Sequence, residues 1–186
     1  MTLDEIRVEI DAVDGQMKPL FLKRMECARS VAETKAATGG EVFVPEREQA
    51  IIEKRAGDTG EFYDMYVAFL RHLISVSRYY QYGFLSEMQE QALSACLGRA
   101  GLDGSSGHRQ VEISFCCQQS ASDLNLYLDT VKLSGVLINE MKLCTEDGVQ
   151  KVRMILDGNL GERRMRRLIC QLYKETEQFA VAALRS

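Results

Sequence analysis

The chain has 186 residues, 46% of them hydrophobic, and its 23 basic and 27 acidic side chains give a net charge of −4. That is enough apolar material for one compact domain or two small ones, and no apolar run reaches the roughly 18 residues of a membrane span. The acidic balance argues against a nucleic-acid partner. Cys27, Cys96, Cys116, Cys117, Cys144 and Cys170 form no C-x-x-C pair and only two histidines accompany them, so they read as scattered core thiols, not as a metal or disulfide framework. The first residues pass straight into a helical pattern without a basic start or short apolar core. No secretion signal is expected, and a cytoplasmic setting is.

The first helix is expected over residues 3–38. Leu3, Ile6, Ile10, Val13, Met17 and Leu20, then Cys27 and Val31, recur in steps of three and four along one seam. Arg24 occupies the seam position that should be apolar, and an arginine there is costly unless an anion meets it. Lys35 lies eleven residues on, about 20° further round, and shares that face. Two cations on the apolar side of one helix point to a site for a small anion. At about 54 Å such a helix is too long for a small globule to cover, so it must break or be covered by a second chain. Pro19 predicts a kink near residues 15–19, because it removes a hydrogen bond and crowds the carbonyl four residues back.

Gly39-Gly40 ends this helix. Residues 41–44 form an extended link, and Pro45 suits the first turn of a second helix over 45–57, with Glu46 and Glu48 complementing its N-terminus. After Asp58-Thr59-Gly60, a third helix is expected from Glu61 to Met88. Its apolar face is formed by Phe62, Tyr66, Phe69 or Leu70, Leu73, Tyr80 and Phe84. Ser77 and Gln81 interrupt that face one turn apart. A weakly helical tail, 90–97, leads into a Gly/Ser-rich linker over 98–108.

Beyond the linker the period changes from helical to alternating. Strands are expected at 111–117, 136–143, 149–156 and 179–184, and helices at 120–134, capped by Ser120 or Ser122, and at 161–177. Asp147-Gly148 marks a hairpin turn. The order βαββαβ is the ferredoxin-like plan. The division is therefore 1–97 helical domain, 98–108 linker and 109–186 α+β domain. The run Arg163-Arg164-Met165-Arg166-Arg167 reads as a solvated helix face.

Five separated motifs carry a family resemblance. They are Leu3-Asp4-Glu5-Ile6-Arg7-x-x-Ile10-Asp11-x-x-Asp14, Leu20-Phe21-x-x-Arg24, Val31-Ala32-x-x-Lys35, Val42-Phe43-Val44-Pro45-Glu46-Arg47-Glu48 and Ser77-x-x-x-Gln81. In this order and spacing, residues 3 to about 85 resemble the all-helical AroQ class of chorismate mutases. The resemblance implies a three-helix domain forming an intertwined homodimer, with chorismate as substrate and no cofactor or metal. It also implies a place in the shikimate pathway to phenylalanine and tyrosine. Arg24, and Arg7 from the partner chain, would clamp the two substrate carboxylates. Lys35 and Gln81 would hydrogen-bond the ether oxygen, Glu48 would receive the ring hydroxyl, and Arg47 and Ser77 would support the carboxylates. Arg7 and Arg24 are 17 residues apart, about 260° round the helix, which fits their division between two chains. Val44 stands where the family usually has Asp and would serve through its backbone N–H. Pro19 is also unusual for the family.

The C-terminal half resembles an ACT-type regulatory module in strand order and size. The resemblance implies a possible aromatic amino acid effector, although the loop 118–123 lacks the glycine such modules often carry. Two other functions remain open at this stage. One is isochorismate pyruvate lyase, on the same helical fold. The other is a non-catalytic regulatory binding protein on a degenerate mutase fold.

Overall fold

Local signals set the helices, and contacts distant in sequence decide which faces they bury. The computed structural model describes residues 1–105, 107–118 and 123–186, the side chain of Asp123 excepted. Helix α1, Leu3–Thr38, opens on a capping box in which Thr2 and Glu5 satisfy each other's backbone N–H groups. It closes at Gly39, whose φ of 75° suits glycine and whose N–H reaches Lys35 O at 2.8 Å. The helix does not break at Pro19. The carbonyl left without its helical donor belongs to Gly15, on an exposed stretch where solvent can serve it.

Helix α2, Pro45–Ala56, starts at its proline as expected, and Val44 at its N-cap makes no side-chain capping bond. A short 3-10 turn, Gly60–Phe62, leads into α3, Tyr63–Tyr82, and α4 follows at Ser86–Ala100. The expected third helix, 61–88, thus ends early, and the weakly helical tail expected over 90–97 is part of a fourth helix. Gly83, Phe84 and Leu85 donate their N–H groups three residues back, to Tyr80, Gln81 and Tyr82, at 3.0–3.3 Å. These tight turns end the long third helix, and the Gln89 side chain then caps Tyr82 O at 2.6 Å. A Cβ at Gly83 would meet Arg167 at 3.1 Å, so glycine is what lets Arg167 approach the backbone there.

The buried stripes also shift. On α1 the face turned toward α3 carries Arg24, Ala28, Ala32 and Lys35, with the two alanines buried. The expected continuation through Cys27 and Val31 is exposed, as are Leu3, Ile10, Val13, Met17 and Leu20. On α3 the buried set is Leu70, Ile74, Ser77, Arg78, Gln81 and Tyr82, while Phe62 and Phe69 face outward. Small alanines allow close helix approach, which draws the 28/32 face inward.

The C-terminal half is an α+β unit. It comprises β1 (Gln110–Gln118), α5 (Asp123–Ser134), β2 (Ile138–Glu146), β3 (Val149–Asp157), α6 (Arg163–Glu175) and β4 (Glu177–Arg185). Every pairing is antiparallel, in the order β2-β3-β1-β4. Asp147 (φ 51°) and Gly148 (φ 78°) make the hairpin turn. The proposed cap serines Ser120 and Ser122 and most of the loop 118–123 lie outside the described residues. Val111, Ile113, Phe115, Val152, Met154 and Leu156 form one sheet face of the core, covered by α5 and α6. Leu93 and Cys96 of α4 join that core.

The two halves meet along α6. Cys170 packs with Val42, Tyr82, Leu85 and Ala92. The arginine run, expected as a solvated face, is largely engaged here. Arg163 donates to Gly83 O at 3.2 Å, Arg166 pairs with Glu90, and Arg167 lies over the Tyr79 ring at 4.6 Å. The expected linker segment is anchored too. Leu102 N reaches Leu97 O at 3.1 Å, and buried His108 accepts from Leu160 N at 2.9 Å. Cys27 and Cys144 are exposed, contrary to the core reading, and the other four thiols are buried. Among the described residues no helix is long and apolar enough to cross a membrane.

Candidate active site

Three helices bring the predicted side chains together. Arg24 projects from the inner face of α1 and donates through Nη1 to Ser77 Oγ and, at 3.3 Å, to Leu73 O on α3. Ser77 in turn donates to Leu73 O at 2.9 Å and is itself buried. Burial, and then the charge of Arg55, pulls the Arg24 guanidinium below its ordinary pKa. The group is therefore half-desolvated and beside a second cation, a setting that an incoming carboxylate would relieve.

Lys35 sits three turns further on, half-buried, with Nζ 3.4 Å from Val42 O. Burial, and then Arg47, lowers its pKa from the ordinary lysine value. Glu48 projects from the first turn of α2 and acts electrostatically on both Arg24 and Lys35. Arg47 is exposed beside it. Gln81, one turn beyond Ser77, is buried, and its Oε1 has no hydrogen-bond partner among the described residues. A buried amide oxygen without a partner carries a desolvation cost that a binding site can put to use. Arg24 and Ser77 are thus in contact, Glu48 acts on both Arg24 and Lys35, and Gln81 follows Ser77 by one turn on α3, within a chain whose residues 1–90 carry 11 basic and 16 acidic groups. The positive character is local, made by placed side chains.

Two predicted residues stand apart from this group. Arg7 lies near the exposed start of α1, paired with Asp4 at 3.0 Å. By helical rise it is about 25 Å from Arg24, so one chain cannot bring both to one small ligand. Val44 is partly exposed at the head of α2 with extended backbone angles (φ −134°, ψ 90°).

Sequence reasoning missed Arg78. Its Nη1 donates to Glu48, its guanidinium lies 4.7 Å from the Phe43 ring, and its other prongs hold Glu175 of α6. The signal was available in the pattern: Arg78 stands four residues after Ile74 and eight after Leu70, a cation on a buried stripe like Arg24. Arg55 was missed as well; it sits beyond any motif, and only the packing of α1 and α2 on α3 brings its charge near Arg24.

Residues 6–82, the span from α1 to the end of α3, match the family model for chorismate mutase type II. That family is one of isomerases. A curated relative, the T-protein of Haemophilus influenzae (strain ATCC 51907 / DSM 11121 / KW20 / Rd), is 38% identical over 53 residues. The aligned segment covers 28% of this chain and only 14% of that protein. No solved structure matches the chain.

The unpartnered Gln81 amide makes a stability prediction. Gln81→Leu should leave the free protein as stable or raise its resistance to urea by about 1 kcal/mol, since it removes a buried unsatisfied group. Equilibrium urea unfolding checks this; a loss of more than about 1 kcal/mol would mean that the amide is satisfied within the fold.

Proposed function

We propose that this chain catalyses the rearrangement of chorismate to prephenate. The observation that supports this reading is the Arg24–Ser77 hydrogen bond together with the action of Glu48 on both Arg24 and Lys35, inside the region that matches the chorismate mutase type II family. The reaction is an intramolecular [3,3] shift. One carbon–oxygen bond breaks, one carbon–carbon bond forms, and no atom or proton leaves. Such chemistry needs no nucleophile, only a reactive conformer held in place and donors aimed at the oxygen of the breaking bond.

Each residue then has a task suited to its type. Arg24, supported by Ser77, takes a carboxylate, because its planar fork matches two oxygens. Lys35 and the Gln81 amide nitrogen donate to the ether oxygen as charge develops there. Glu48 accepts the ring hydroxyl, Arg47 adds positive potential, and Val44 contributes through its main chain. The second carboxylate falls to Arg7 of a second copy. The exposed stripe of Leu3, Ile10, Val13, Met17 and Leu20 supports such a pairing, since apolar seams of this length are normally covered. The strand order β2-β3-β1-β4 is that of the ferredoxin-like plan and supports an ACT-type regulatory reading of residues 109–186, with an aromatic amino acid as effector. The protein would act in the cytoplasm, in the route to phenylalanine and tyrosine.

Prephenate formation by the pure protein tests the activity, and pyruvate release from isochorismate instead would assign it to the lyase. Arg24→Ala should lower kcat/KM at least about a hundredfold with the circular dichroism spectrum retained; near-normal turnover would remove Arg24 from the site. Inactive Arg7→Ala and Arg24→Ala proteins, mixed under conditions of subunit exchange, should recover part of the activity. No recovery despite proven exchange would argue against a site shared between chains.

The pH profile follows from Lys35. Its charged form is the one required, and its pKa lies below the ordinary 10.5. Activity is therefore lost as pH rises through the lowered value, so kcat/KM should decline before pH 10.5. In Lys35→Arg that alkaline decline should move to higher pH. An unmoved decline would assign it to another group.

A further inference from the structure

We propose that Arg78 is a positioning residue for Glu48, held in place by the last residue of α6, so that the C-terminal half forms part of the back wall of the site. The proposal rests on the reading of Glu48 as the acceptor of the ring hydroxyl.

Arg78 has three anchor points. Nε and Nη2 donate to Glu175 Oε1 and Oε2 at 2.8 and 2.9 Å, a two-pronged grip, and Nη1 donates to Glu48 Oε2. The Phe43 ring lies against its guanidinium. The Arg78 side chain is 6% exposed and that of Glu175 is 1% exposed, so neither is free to swing into solvent. Glu175 is immobilised from behind as well. Its backbone carbonyl accepts the Tyr127 hydroxyl of α5 at 2.7 Å, and Thr176 N closes the helix onto Leu172 O at 3.0 Å.

The next residue back, Lys174, reaches Glu41 at 2.9 Å. One turn of α6 therefore fixes both ends of the segment 41–48, which carries Val42, Val44, Arg47 and Glu48. An unattached glutamate at a helix start samples several rotamers and loses that freedom on binding. Arg78 removes this cost beforehand. It occupies Oε2 of Glu48 and leaves Oε1 without a hydrogen bond among the described residues, available to accept a hydroxyl.

The test uses the full chain. Arg78→Met combined with Glu175→Leu replaces the buried pair by apolar groups of similar length. The double variant should keep its circular dichroism spectrum and raise KM for chorismate about tenfold. Glu48→Gln should then cost much less in that background than in the unaltered chain, because the carboxylate is already misplaced. Equal costs in both backgrounds would overturn the proposal, and so would an unchanged KM. If the double variant does not fold, Arg78→Lys carries the test. One ammonium cannot serve both carboxylates, so kcat/KM should fall at least about threefold, and unaltered kinetics would overturn the assignment.

A carboxyl-carbon NMR spectrum at neutral pH reads the contact without turnover. The Glu48 side-chain carboxyl resonance should move when Arg78 is replaced by Met, and an unmoved resonance would overturn the proposal. Absence of prephenate formation by the unaltered chain would defeat the activity reading separately, leaving the carboxyl resonance to decide whether Arg78 holds Glu48.

Discussion

The contact on which the arrangement depends is the buried pairing of Arg78 with Glu175, extended to Glu48. Burial works against the charge on Arg78, yet the two carboxylates more than offset it and raise its pKa. Such a pair contributes little net stability when compared with well-packed apolar groups, but removing one partner strands the other and costs about 3–5 kcal/mol. Its effect is to specify arrangement. The placement of α6 on α3 that satisfies all three charged groups also seats Cys170 on Val42 and Tyr82 and brings Arg167 against Gly83. The helical and sheet-bearing halves are thereby locked in register through residues that also border the candidate site.

The site itself is polar preorganisation within an acidic chain. Arg24 and Lys35 are both drawn below their ordinary pKa values because burial and neighbouring cations disfavour their charge. The carboxylates that oppose that tension are already engaged: Glu48 by Arg78 and, beside Lys35, Glu41 by Lys174. A dianionic ligand would relieve it, and donors fixed by packing need not reorganise as charge develops on a bound molecule. The exposed apolar length of α1 tells a complementary story. Its inner face is completed by α3 only from Arg24 onward, and the first twenty residues bury nothing within the chain.

Legibility in the sequence varied with the range of the forces involved. Helix ends set by Gly39 and Pro45, and the turn set by Asp147-Gly148, were readable because their causes are local. The break at Gly83 was not, since the apolar pattern runs through it. The tight turn is stabilised by the Gln89 side chain and by the close approach of Arg167. The stripe on α1 was displaced for a related reason: periodicity finds the most apolar face, whereas the face that α3 meets is the one lined by small Ala28 and Ala32. The arginine run looked solvated because its partners, the Gly83 carbonyl, Glu90 and the Tyr79 ring, lie about 80 residues away.

By itself the sequence determined the elements and most of the candidate side chains. Capping chemistry, hydrophobic period and motif spacing are short-range properties written directly in residue order. Tertiary structure decided which faces are buried, where the third helix stops, and which cations act together. Arg24 was conspicuous in one dimension as an interruption of a seam. Arg78 interrupted a seam too, but its meaning depends on Glu175, ninety-seven residues on. A buried charge is tolerable only beside its counter-charge, and that neighbour exists only once the chain has folded.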